Sequence, residues 1–242
     1  MREHEEGAQE TSPTKENIFN FNFKALTVNG HAGSGESTVG RMLSENLGID
    51  FYDIGMEFRS EQDREIIDFQ ERPLEKDIEM DERQKIRIRN ATADKPVVLV
   101  AKLAGVNVSE LPEEESQNVV TIFVTCPSEE RFRRILERER ERGVKNLNLK
   151  RVAQETRNRE KSDINQWAET HPQLAYINPF DPDAKDENGK RIYKYKVSSY
   201  NRPSVEIAYA IIRRLTEDGW ITKVEDKENP TLSTQGQIYS HP

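Results

Sequence analysis

A short apolar run, Phe21 to Asn29, ends in Gly30-His31-Ala32-Gly33-Ser34-Gly35-Glu36-Ser37, and apolar residues then recur at helical spacing at Val39, Met42, Leu43 and Leu47. Strand, glycine-rich bend and helix in that order bring backbone N–H groups together at the positive end of a helix, where an anion is held. Gly30, Gly33 and Gly35 free the main chain to approach such an anion, with Ser34 and Thr38 beside them, and Ser37 offers a hydroxyl to Mg²⁺. The spacing is that of the phosphate-binding pattern G-x-x-x-x-G-K-[ST], with Glu36 in the lysine position. An ordinary glycine-rich turn is the plainer alternative; the agreement of both flanks with the pattern argues against it. Gly48 is expected to stop the helix.

Further strands are expected at Ile49 to Asp53, Pro96 to Val100, Val119 to Thr125 and Tyr193 to Ser198. PVVLV and VVTIFVT are continuous apolar runs, as in a sheet buried on both faces. Helical stretches alternate with them: broken helices from Glu61 to Ile88, interrupted at Pro73, and a helix capped by Ser128. Segments around Lys150 to Glu160 and Asp163 to Thr170 read as two more helices, and a last one starts at Pro203. The Arg/Glu run from Glu129 to Arg142 reads as a solvated face. Such alternation predicts an α/β fold of three layers around a central parallel sheet, with ligands at the carboxyl ends of the strands. Asp53 to Arg59 and Lys102 fall at those ends.

Composition excludes several classes. Of 242 residues, 33% are charged and the net charge is −8, which argues against a general nucleic-acid binder. No apolar stretch approaches the ~20 residues of a spanning helix, and the N-terminus carries no apolar signal core. The single cysteine, Cys126, excludes an internal disulfide and is expected at a buried strand end. The four histidines are scattered without zinc-site spacing. These features are expected of a cytoplasmic protein, with residues 1–17 and 224–242 as disordered tails around a domain at 18–223.

Four segments together resemble the cytidylate kinases, a branch of the nucleoside monophosphate kinases with a P-loop. They are Thr27 to Gly48 (TVNGHAGSGESTVGRMLSENLG), Phe51 to Arg59 (FYDIGMEFR), Val97 to Gly105 (VVLVAKLAG) and Val144 to Asp163 (VKNLNLKRVAQETRNREKSD). The resemblance implies a P-loop-type fold with a small helical lid at about 143–170, and an insertion at about 178–190. It implies phosphoryl transfer from ATP with Mg²⁺ to CMP or dCMP. Carried over, Gly30, Gly33, Ser34, Gly35, Glu36, Ser37 and Thr38 would serve ATP, with Ser37 on the metal. Asp53, Gly55, Arg59 and Lys102 would serve the acceptor, and Arg157, Arg159 and Lys102 would stabilise the transferring phosphoryl group. No general nucleic-acid or membrane partner is implied; the oligomeric state is open, with a monomer favoured.

Each of these residues has a structural alternative. Asp53 could cap the following helix, Arg59 could pair with Glu61 or Glu65, and Arg157 and Arg159 could lie on a solvated helix face. The chain departs from the family pattern at Glu36, Ala101 and Gln166, each a cationic or metal-facing position in that pattern. Besides the enzyme, a nucleotide-binding or interaction module without catalysis and a kinase with a non-nucleotide acceptor therefore stand as alternatives.

Overall fold

A computed structural model describes residues 18–57 and 74–224. Its centre is a five-stranded sheet, all parallel, in the order β3-β4-β2-β5-β6. These strands are β2 (Ala25–Gly30), β3 (Asp50–Asp53), β4 (Val97–Val100), β5 (Val119–Thr125) and β6 (Tyr195–Ser198). A separate antiparallel pair joins β1 (Phe19–Phe21) to β7 (Ile221–Lys223).

Every residue of β2 and β4 is buried, and apart from Thr27 and Asn29 their side chains are apolar or absent, as in a sheet covered on both faces. One face carries Leu26, Val28, Val98, Val100 and Ile122 against α1 (Glu36–Leu47), with Ile207, Ile211 and Leu215 completing that layer. The other carries Ala25, Val97 and Leu99 against α2 (Leu74–Asn90) and α3 (Ala104–Ser109). Full burial of each such Val, Leu or Ile contributes roughly 1.5–3 kcal/mol. The result is the three-layer α/β fold expected from the alternation of elements. A four-residue helix, α4 (Glu113–Ser116), leads into β5, and α5 (Ser128–Glu141) and α6 (Leu149–Thr170) follow it. The last helix is α7 (Ser204–Glu217).

Several local expectations change. The run expected as one strand from Phe21 divides at Asn22, whose N–H and side-chain amide bond the carbonyls of Trp220 and Gly219, so Phe19–Phe21 joins β7 instead. The two helices expected between Lys150 and Thr170 are one helix of 22 residues. No glycine or proline interrupts it, and the Asn148 side chain caps it by accepting from the Arg151 N–H at 2.9 Å. Pro127, not Ser128, is the N-cap of α5. Part of the Arg/Glu run on α5 is not solvated: Arg131 and Glu139 are 5% and 1% exposed. Cys126 is only half-buried.

Gly40 sets the distance of α1 from the sheet. A Cβ there would lie 2.3 Å from Cγ2 of Val100 and 3.4 Å from Cε2 of Phe51. Gly40→Ala is therefore expected to lower stability by about 1–3 kcal/mol through overpacking, read as a lower urea midpoint at unchanged slope.

Candidate functional site

The bend between β2 and α1 is built by backbone conformations that side chains resist. Gly33 and Gly35 have φ of 81° and 91°. A Cβ on Gly33 would lie 2.7 Å from the Arg131 carbonyl oxygen, and one on Gly30 would lie 2.3 Å from Oγ of Ser34. The N–H of Ser34 closes a turn onto the His31 carbonyl at 2.9 Å. Glu36, Ser37 and Thr38 form the first turn of α1, whose backbone N–H groups have no partner further back in the helix. Such a cradle fits an anion.

Neighbouring elements clamp the bend from behind. Oγ of Ser199 donates to the Ser34 carbonyl at 2.6 Å, and Arg134 binds the Ser199 carbonyl at 2.9 Å. Arg131 donates to the Ala32 carbonyl at 3.2 Å and to Glu160 of α6 at 2.6 Å. Glu160 also meets Nδ1 of His31 at 3.0 Å, and the His31 ring stacks on Phe180 at 5.1 Å. Burial opposes charge on Glu160, but the His31 hydrogen bond and the Arg131 charge override it and hold its carboxyl below the usual range. α6 is thereby tied to the bend.

In front of the bend lies a cavity of about 140 Å³ at the carboxyl ends of β3 and β4. Glu36 and Ser37 line it from the bend, Asp53 and Gly55 from the end of β3, and Ala101 and Lys102 from the end of β4. Arg159, Asp163, Gln166 and Trp167 close it from α6, with Asp81 and Gln84 from α2. Gly30, Gly33, Ser34, Gly35 and Thr38 build the bend beside it. Arg157 does not line it: the Arg157 guanidinium lies 5.1 Å over the Phe132 ring, beneath another face of α6. Two residues apart on a helix point about 200° apart, so Arg157 and Arg159 cannot share a face. Arg59 lies outside the described residues.

Glu36 does not reach out as a lysine would. Its Oε2 accepts from Oγ of Ser34 at 2.7 Å. Burial pushes its carboxyl above the usual range; the Ser34 hydrogen bond resists this and the charge of Asp53 adds to it. Asp53 does cap the following turn, with Oδ1 accepting from the Met56 N–H at 2.9 Å. Its Oδ2 is buried without a hydrogen-bond partner among the described residues. Lys102 forms an ion pair with Asp163, which is itself buried. The side chain of Asn29, fully buried, fixes the turn after β4 by donating to the carbonyls of Ala101 and Lys102 at 3.0 and 3.2 Å.

A charged network backs the cavity. Nε2 of His171 meets Asp81 at 3.1 Å and Nδ1 meets Glu110 at 2.6 Å, while Lys85 pairs with Glu110 at 2.6 Å. Asn107 donates to Asp81 at 2.8 Å. The His171 ring stacks on Trp167 with centroids 4.0 Å apart. Burial works against a charged imidazole here, but the hydrogen bonds to Asp81 and Glu110 prevail and raise His171 to about 9. Both ring nitrogens therefore donate, and the end of α6 is pinned to α2 and to the loop after α3. Sequence reasoning missed this network because its members lie as far as 90 residues apart. It missed Asp163 and Trp167 too, although helical spacing from Arg159 places Asp163 one turn on, on the same face.

The glycine cradle and the Ser37 hydroxyl fit a nucleoside triphosphate with Mg²⁺; Glu36 is the one member of the set that opposes it. Residues 29–167 match the AAA domain family. Cytidylate kinase of Methanothermobacter thermautotrophicus is 30% identical over 153 residues, covering 60% of this chain and 84% of that one. Cytidylate kinase of Methanococcoides burtonii is 30% identical over 152 residues, covering 60% and 77%. Among solved structures, shikimate kinase from Acinetobacter baumannii superposes with a TM-score of 0.47 at 19% identity, over 81% of this chain and 95% of that one. No helix among the described residues is long and apolar enough to cross a membrane. The chain thus belongs to the AAA domain family and, among its P-loop kinases, to the nucleoside monophosphate kinases.

Proposed function

We propose that the protein is a cytidylate kinase-like phosphotransferase that moves the terminal phosphoryl group of ATP to CMP or dCMP, acting as a monomer in the cytoplasm, with catalysis weakened by Glu36. The observation that carries this reading is the convergence of Glu36, Ser37, Asp53, Gly55, Lys102 and Arg159 on one cavity at the carboxyl ends of the strands. Phosphoryl transfer asks little covalent chemistry of a protein; it asks for in-line positioning and positive charge. The bend of residues 30–38 would position the donor, and Ser37 would hold Mg²⁺, which neutralises phosphate charge when bound. Lys102 and Arg159 would bring positive charge to the acceptor side, oriented by Asp163 and by the anchored α6. Asp53, Gly55 and Arg59 would seat the acceptor. Arg157 would serve as a second cation only if α6 turned on its axis.

A second reading, a nucleotide-binding relative without catalysis, is favoured by the carboxylate of Glu36 in the lysine position. A coupled ADP-release assay over CMP, dCMP, UMP and AMP, run on wild type and Glu36→Lys, separates the two. The kinase reading expects turnover highest with CMP or dCMP, raised by Glu36→Lys. Equal inertness of both proteins with all four acceptors would favour the binding module, and preference for another acceptor would overturn the cytidine assignment.

A further inference from the structure

We propose that Glu160 is a positioning residue: by gripping His31 of the bend and Arg131 of α5 together, it couples the bend to the cavity face of α6, so that nucleotide and acceptor bind cooperatively. The inference rests on the kinase reading and deepens it, for it names the residue through which the two substrates of that reading sense each other.

Glu160 lies in the middle of α6, between Arg159 and Asp163, which both line the cavity. Consecutive helical residues point about 100° apart, so one turn of α6 can present Arg159 to the cavity and Glu160 to the bend. Oε1 of Glu160 accepts from Nη1 of Arg131 at 2.6 Å and meets Nδ1 of His31 at 3.0 Å. The same Nη1 donates to the Ala32 carbonyl at 3.2 Å, so the network holds two consecutive residues of the bend. The Arg131 and Glu160 side chains are 6% and 16% exposed, and salt screens such a pair little.

A loop side chain that ties a loop to a helix can swing when the loop moves. His31 is wedged instead. Its ring stacks on Phe180 at 5.1 Å and meets Phe123 edge-on at 6.0 Å, and both phenyl rings are buried. Phe180 is fixed in its turn: its N–H donates to Oδ1 of Asn178 at 3.0 Å, and the Tyr193 hydroxyl donates to the Pro179 carbonyl at 2.6 Å. Residues 178–180 thus form a wall behind His31. A displacement of the bend on taking up phosphate passes to Glu160 and shifts α6, because no free rotamer absorbs it. The pose of α6 sets where Arg159 and Asp163, the partner of Lys102, stand over the cavity. An anion in the bend and an acceptor in the cavity then favour the same pose, which is a positive coupling between the two sites.

The test measures this coupling and does not depend on turnover. The Kd of β,γ-imido-ATP with Mg²⁺ is read by calorimetry with and without saturating CMP. In wild type, CMP is expected to tighten nucleotide binding about 10-fold, and the nucleotide to tighten CMP binding by the same factor. Glu160→Gln is expected to keep the affinity for nucleotide alone and to lose the tightening. A merely structural role would lower Tm without separating these two quantities. His31→Ala leaves the buried Arg131–Glu160 pair in place and is expected to lose the tightening as well, so it decides the matter if Glu160→Gln does not fold. His31→Asn, whose side-chain amide reaches the place of Nδ1, is expected to retain most of it. Independent binding of the two ligands in wild type, or undiminished tightening in Glu160→Gln or His31→Ala, overturns the coupling and leaves the kinase reading standing. Absence of CMP binding by wild type removes the cytidine assignment and the coupling together; absence of nucleotide binding removes the kinase reading with them.

Discussion

Glu36→Lys is expected to tighten binding of ATP by about 30-fold at low Mg²⁺. Two unit charges at ~4 Å with an effective dielectric near 20 interact by roughly 4 kcal/mol, and the substitution turns such a repulsion into an attraction. The cavity is open to solvent and the Ser34–Glu36 hydrogen bond is lost, so about 2 kcal/mol of net gain is the sounder figure. A glutamate in the first turn of α1 gains only ~0.3–1 kcal/mol from the helix dipole, too little to reverse the outcome. Calorimetry of the two proteins checks the direction. Equal or weaker affinity in the variant at low Mg²⁺ would mean that the carboxylate does not approach the phosphates.

Raising the pH from 6.5 to 9 is expected to remove about 3 kcal/mol of stability through His171 alone. The folded protein holds the imidazole proton to about 9, against an ordinary value of 6.5. The folded state thus binds more protons across this window. The contribution is complete below 6.5 and is lost as the pH climbs through 9. Asp81 and Glu110 face the ring, with Lys85 on the far side of Glu110, and the Trp167 face covers it. For a chain of this size the loss corresponds to a fall in Tm of roughly 6–12 °C. His171→Leu should start less stable at pH 6.5, because Asp81 and Glu110 lose their shared counter-charge, and should show a flatter profile up to pH 9. An unchanged slope in the variant would assign the pH dependence to other groups. Because His171 ends α6, which carries Arg159 and Asp163, the variant should also weaken nucleotide-dependent protection of that helix from hydrogen exchange.

The parts of the fold that were legible in the sequence are those governed by neighbours along the chain. Val119–Thr125 reads as a buried strand and is one, because a parallel strand covered on both faces is predominantly apolar and β-branched. The bend at Gly30 to Ser37 reads as a strand-to-helix turn because positive φ at Gly33 and Gly35 is a local steric demand. Gly48 ends α1 for the same reason, with φ of 71° and its N–H on the Ser44 carbonyl. Asp53 and Lys102 were placed at the ends of their strands by the alternation of elements, and both line the cavity.

What the sequence could not show are choices among chemically similar residues. Arg157 and Arg159 look alike in a run of Arg and Glu, yet Arg159 lines the cavity and Arg157 covers Phe132. Arg131 looks like any arginine of α5, yet it is buried behind the bend and bound to Glu160 of another helix. The ion pair of Lys102 with Asp163 closes over 61 residues of chain. Local sterics and burial on both faces of a sheet, written into short stretches of residues, determined by themselves the strands of the central sheet, the glycine bend and the position of Glu36 within it. Only the tertiary structure decided which charges are buried, which partners they meet and which face of α6 closes the cavity, because those outcomes depend on the packing of elements far apart in the chain.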